Sequence, residues 1–190
     1  MNRKNNVRFQ ETDRRIKEYV LAALSRQEND QLTVLGICNA LHLNRSTFYI
    51  HFRDIDEVIK AVTAEINNGL SEIVMQAQDA GLTEEEAIRR ALNYIHDNRT
   101  FYLYYFRCCP FETIFANLRM VCEIAFVRGA NLNSHEAYVM DFLTAGFLSV
   151  ISSWLLNGCR ERIEDMTDLI RSLIPAEIIL KRKKMHHPLQ

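Results

Sequence analysis

Apolar positions recur at helical spacing along this chain and predict a succession of helices. From Thr12, read as an N-cap, Ile16, Val20, Ala23 and Leu24 mark a first helix to about Arg26. A second, capped by Thr33, turns Val34, Ile37 and Cys38 inward, and Leu43 beyond the turn at His42 reads as a buried pin. Asn44 caps a short helix on which Phe48 and Phe52, four apart, share the inner side. A long helix follows from Ile55 to about Gln78, with Ile55, Val58, Val62, Ile66, Leu70 and Ile73 along one stripe. Gly81 ends the connection, and Thr83-x-x-Glu86 is a capping box that opens the next helix. Pro110 separates an aromatic helix from one running to Arg128, and 129–132 is a break. Asn133-x-x-Glu136, a second capping box, starts a long apolar helix that ends at Asn157 and is closed by Gly158. A further helix spans about Asp165 to Ile174, and Pro175 opens a last short one.

Composition agrees with an all-α fold. With 190 residues, 48% of them hydrophobic, the chain can bury a real core, as one domain or a small one plus a larger one. Six Gly and three Pro leave little punctuation for a β-rich fold. No apolar run follows the basic start and no stretch reaches the ~18 apolar residues of a membrane span. A soluble, cytoplasmic protein without a membrane partner is expected.

The five cysteines form no C-x-x-C and have no His at metal-ligand spacing, so neither a metal nor a cofactor is expected. They read as reduced thiols; the adjacent pair Cys108 and Cys109 leaves packing and redox sensing both open. There is no nucleophile elbow, no Gly-rich phosphate loop and no spaced carboxylate pair, and an enzyme is not expected.

Charge changes the picture more by its distribution than by its sum of −1. Residues 1–53 hold nine Lys and Arg against five Asp and Glu, a net of +4; residues 54–190 hold fourteen against nineteen, a net of −5. A positive N-terminal third would orient the molecule toward a polyanion. The short helix there carries Asn44, Arg45, Ser46 and Tyr49 on its outer side, a donor-rich set suited to the major groove. Arg45 matches guanine O6 and N7 in bidentate fashion, and Ser46 and Thr47 can reach phosphates or base edges. Thr33, at a helix start, can present its hydroxyl and the helix N–H groups to a phosphate.

The string R-S-T-F-Y-x-H-F, from Arg45 to Phe52, after Leu32-Thr33-Val34 and before an acidic helix start, resembles the recognition helix of TetR-type transcriptional regulators, in particular the branch common in Firmicutes. The motif-level resemblance runs from about Ile16 to Ile59; beyond it, length, helicity and the Gly146, Trp154, Gly158 pattern agree. It implies a three-helix helix-turn-helix domain over 1–54 and a helical ligand-binding and dimerisation domain over 55–190. It also implies that Tyr49 and His51 clamp phosphates; for Thr47 and His51 a local hydrogen bond to the backbone is the alternative. Two positions depart from the family. Leu41 and His42 stand where Ala-Gly is usual, and Ile55 stands where a phosphate-binding Lys is common, leaving Arg53 or Lys60 to substitute.

Eight of the eighteen aromatics lie between Tyr94 and Phe115, and such a cluster either lines a small-molecule pocket or fills a core. Phe101, Tyr102, Tyr105, Phe106, Phe115 and Trp154 are the candidate ligand residues. On the long late helix, Ala145, Gly146, Ser149 and Ser153 form a small-residue stripe, and Leu143, Phe147, Val150 and Trp154 an apolar one. Two stripes suggest one face on the protein's own core and one on a twofold partner. The expected function is a homodimeric repressor that leaves a near-palindromic operator in double-stranded DNA when a small-molecule effector binds. The alternative is a DNA-binding adaptor or activator controlled by a protein partner.

Overall fold

The computed structural model describes residues 7–25, 32–127 and 132–175. Arg26, most of the 129–132 break and the short helix expected after Pro175 lie outside the described residues. Among the described residues there are nine helices and no strand: α1 (Val7–Ser25), α2 (Val34–Leu41), α3 (Arg45–His51), α4 (Ile55–Asp79), α5 (Glu84–Asp97), α6 (Arg99–Cys108), α7 (Phe111–Phe126), α8 (Ser134–Leu156) and α9 (Ile163–Ser172).

The helix starts show where local sequence chemistry holds. Thr33 accepts from the Gly36 N–H at 3.0 Å, and Asn133 and Glu136 form a complete reciprocal capping box. Thr83 accepts from the Glu86 N–H at 3.2 Å, but the Glu86 carboxylate turns to Arg89 and Arg90 instead of completing its box. Thr12 is not an N-cap. It lies inside α1, and its hydroxyl donates to the Arg8 carbonyl at 2.9 Å. A Thr one turn into a helix satisfies its hydroxyl by this backward bond and is indistinguishable in sequence from a cap.

Three helices end in the same way. After α2, α4 and α8, paired N–H groups return to the last turn: His42 to Asn39 with Leu43 to Cys38, Gly81 to Gln78 with Leu82 to Ala77, and Gly158 to Leu155 with Cys159 to Trp154. This motif needs a left-handed residue, usually glycine. Gly81 and Gly158 supply it at φ of 64° and 78°, whereas the helix-turn-helix turn uses His42 at φ 54° and ψ 43°. A β-carbon in that region costs roughly 1 kcal/mol or more. His42→Gly should therefore raise stability by about 1 kcal/mol, read as a higher denaturant midpoint at unchanged slope; an equal or lower midpoint would show that the His side chain compensates.

The chain divides into two compact units, Met1–Ile66 and Asn67–Gln190, and α4 contributes to both. The division falls twelve residues beyond the expected residue 54. The physical reason is that Val58, Val62 and Ile66 of α4 are buried in the first unit, and Lys17 of α1 pairs with Glu65 at 3.0 Å. In this unit Ile16, Val20, Ile37, Cys38, Phe48 and Val58 are all at most 2% exposed or fully buried, a core closed by Phe52. Arg15 donates to the Leu41 carbonyl at 3.0 Å and fixes the end of α2 to α1.

In the second unit α5 packs on α9, and α8 on both α6 and α7. α8 is long and apolar enough to cross a membrane by length and composition, which the sequence reading did not anticipate. Its Met140, Leu143, Thr144, Phe147, Leu148, Ile151, Trp154 and Leu155 are buried in the unit, so much of that apolarity serves a core. Of the cysteines, Cys38 and Cys122 are buried, Cys109 and Cys159 half-buried, and Cys108 is exposed. Burial first, then the neighbouring Cys108, holds the Cys109 thiol above its ordinary pKa, which argues against a ready thiolate at Cys109.

Candidate nucleic-acid interface and internal cavities

α3 divides cleanly between an inner and an outer side. Phe48 is fully buried, with the Tyr49 ring edge-on to it at 5.7 Å, and Phe52 follows at 6.3 Å. These aromatics anchor the helix and leave its other face to solvent. Asn44, Arg45 and Ser46 are exposed and Thr47 is half-buried. Asn44 occupies the N-cap position, but its side chain makes no capping bond and stays available. Arg45 makes no hydrogen bond or ion pair among the described residues, unlike Arg14, Arg53, Arg89, Arg90, Arg119, Arg162 and Arg171. An uncommitted guanidinium at the N-terminal end of an exposed helix is free to reach a ligand without first breaking a pair.

Two exposed residues were missed in the sequence. Ile50 is 54% exposed beside Tyr49 at 51%, and Leu35 on α2 is also 54% exposed. Ile50 lies four residues after Ser46 on the outer face, so the spacing that groups Arg45 with Tyr49 could have found it. An apolar side chain there can meet a thymine methyl. Thr33 is exposed at the start of α2 with its hydroxyl already accepting from Gly36, so a phosphate there would meet the remaining helix N–H groups.

His51 does not fit the clamp role. Its side chain is 4% exposed, stacked on Phe9 at 4.0 Å, with Nδ1 3.5 Å from the Asp13 carboxylate. Nδ1 makes no hydrogen bond among the described residues. Lys17 holds Asp13 at 2.8 Å, so His51 belongs to the packing of α3 against α1. At the start of α4, Arg53 is already held within an acidic turn, and Lys60 is exposed. Asp54 accepts from the Glu57 N–H at 2.8 Å, and the Glu57 carboxylate accepts from the Arg53 N–H at 2.6 Å. The Glu57 N–H, then the Arg53 guanidinium, hold the Asp54 carboxyl below its usual pKa. Arg53 is thereby paired within its own turn.

The second unit contains two neighbouring cavities. The larger, about 90 Å³ and partly open to solvent, lies between α4, α5, α7, α8 and α9. Leu70, Val74, Leu92, Val121, Phe126 and Ile151 line it with other apolar side chains; Gln78 and Glu84 are its polar residues. The smaller, about 30 Å³, is lined by Asn67, Tyr102, Tyr105, Phe106, Asn117 and Leu148, among others. Leu70, Ile95, Leu118, Val121 and Ile151 line both.

Of the six aromatics singled out from the sequence, Tyr102, Tyr105 and Phe106 line the smaller cavity. The other three line neither. Phe101 is 2% exposed and stacks on Tyr105, the Trp154 indole N–H donates to the Glu161 carbonyl at 3.1 Å, and Phe115 pairs with Phe111. The Tyr105 hydroxyl accepts from Asn117 at 2.6 Å and from Asn67 at 3.4 Å. The buried Tyr102 hydroxyl has no hydrogen-bond partner among the described residues, and its pKa is pushed up first by burial, then by Tyr94 and Tyr105.

The described residues thus form a helix-turn-helix unit and a helical unit that holds cavities. Residues 83–176 match the family described as transcriptional regulator C-terminal region, TetR_C_8. No curated protein matches the chain in sequence. Among solved structures, the chain is similar to the dihydroxyacetone kinase operon activator DhaS, with 14% identity and a TM-score of 0.64 over 89% of this chain and 97% of that one. It is also similar to a transcriptional regulator of the TetR/AcrR family from Aquifex aeolicus VF5, with 17% identity and a TM-score of 0.64 over 85% and 96%. The family match covers just under half of the chain, and the two structural likenesses show a shared all-α fold.

Proposed function

We propose that the protein is a homodimeric repressor that binds a near-palindromic DNA operator and is released by a small molecule held in the second unit. The observation that carries this reading is the outer face of α3, where Arg45 stands exposed, and unpaired among the described residues, beside Asn44, Ser46, Tyr49 and Ile50. Arg45 reads a guanine, Ser46 and Thr47 contact base edges or phosphate, and Tyr49 and the α2 start at Thr33 position the helix on the backbone. His51 is a packing residue in this account.

Dimerisation is supported by α8. Tyr138 and Phe142, 73% and 77% exposed, continue through exposed Ala145, Ser149, Ser153 and Leu156 at intervals of three or four residues. Such a row is costly in water and packs a second helix closely when covered by its twofold copy. Effector control would run through α4, which carries Val58 and Val62 in the first core and Leu70 and Gln78 at the cavity. A ligand shifts the DNA-binding equilibrium only as far as it binds the two states differently.

A second reading, activation in place of repression, draws on the name of one structural neighbour, an operon activator. Selection from random-sequence duplexes tests the proposal, with Phe142→Glu in parallel. The wild type should enrich an inverted repeat with half-sites about one DNA turn apart, and the variant, sedimenting as a monomer, should enrich no repeat. A wild type that enriches nothing would contradict DNA reading by the protein alone; a variant that still dimerises and enriches the repeat would remove the α8 interface.

A further inference from the structure

Two residues that line the larger cavity carry buried acceptors with no donor among the described residues. Gln78 is 4% exposed, and its amide nitrogen donates to the carbonyls of Ile124 and Ala125 at 2.5 and 2.6 Å. Those carbonyls lie in the last turn of α7, where intrahelical partners run out. Only an NH2 group can satisfy both, so the amide orientation is fixed and Gln78 Oε1 is the free end. It is buried without a hydrogen-bond partner.

Glu84 Oε1 is buried without a partner too, and Glu84 lines the same cavity. Its neighbours are committed elsewhere, Glu85 to Arg171 and Glu86 to Arg89 and Arg90, whereas Glu84 has no cation among the described residues. Buried acceptors without donors are costly, a carboxylate oxygen more so than an amide. A ligand that brings a donor removes that cost; a ligand that brings an anion adds to it.

We infer that the second unit binds an amphiphilic amine: an apolar body within the cavity, its ammonium N–H groups donating to Glu84 and Gln78. The charge on one acceptor favours an ammonium over a neutral hydroxyl, because charge-assisted hydrogen bonds are the stronger class. The body can extend past Leu70, Ile95 and Val121, which are common to both cavities. This rests on the reading of the second unit as an effector domain and names the effector's chemistry.

Titration calorimetry on the full-length protein without DNA tests it, using n-decylamine, n-decanol and decanoate below their micellar range. The amine should bind at one site per chain, at least about tenfold tighter than the alcohol, on the scale of one charge-assisted hydrogen bond; decanoate should not compete. Glu84→Gln should bring amine affinity down to that of the alcohol and leave the alcohol unchanged, while Glu85→Gln changes neither. Equal binding of decanoate, unchanged amine binding in Glu84→Gln, an equal loss in Glu85→Gln, or no binding of the amine would each overturn the inference. Because DNA is absent, such a failure removes the amine class and leaves the operator-binding account standing.

Discussion

Arg45→Ala should bind a cognate operator no better than unrelated DNA while melting at the same temperature as the wild type. The guanidinium is exposed and makes no pair among the described residues, so its removal leaves no buried group unsatisfied and takes nothing from the core. A bidentate contact to guanine is worth about 1–3 kcal/mol of discrimination, and a dimer would lose it in both half-sites. What should survive is weak, steeply salt-dependent binding through phosphate contacts. Retained discrimination between operator and scrambled DNA would transfer the reading role to Asn44, Ser46 or Tyr49.

Phe48→Ala, three residues away, should abolish DNA binding by a different route. Phe48 is fully buried at the junction of α3 with the rest of the first core. Truncating such a ring costs about 3–5 kcal/mol through lost burial and the cavity left behind, a large share of what a unit of 66 residues can hold. Circular dichroism should show an early transition for the first unit and a later one for the helices of the second. A single transition at the wild-type temperature would mean that neighbouring side chains collapse into the space. The two variants separate the chemistry of reading from the packing that presents it.

That separation was legible in the sequence because α3 obeys two spacings at once. Phe48 and Phe52 mark its inner side, and Arg45 and Tyr49 its outer side. The capping residues Thr33, Thr83 and Asn133 also sit where they were expected, since each accepts from an N–H three residues on. His51 was not legible. Its ring is buried by Phe9 and Asp13 on α1, a tertiary contact some forty positions away, and a His two residues after a Tyr in a short helix reads equally well as a surface residue. Nor does periodicity show that a left-handed turn can be made by His42, since it is the two return bonds to Cys38 and Asn39 that hold it there.

The larger cavity escaped the sequence for a different reason. Leu70, Val74, Leu92 and Val121 are aliphatic residues on helical stripes, and nothing in a stripe distinguishes a wall from a filled core. The aromatic cluster drew notice instead, and half of its six candidates are packed away from both cavities. Glu84 and Gln78 could not have been singled out, because what marks them is the absence of donors around two buried oxygens.

The account stands or falls on sequence-specific DNA binding. The most direct measurement is fluorescence anisotropy of the purified protein on duplex DNA from upstream of its own gene, at physiological salt with excess nonspecific competitor. The account predicts saturable binding that survives the competitor and is lost in Arg45→Ala. Binding that the competitor removes entirely, from a folded dimer, would contradict it and move control by a protein partner to the front.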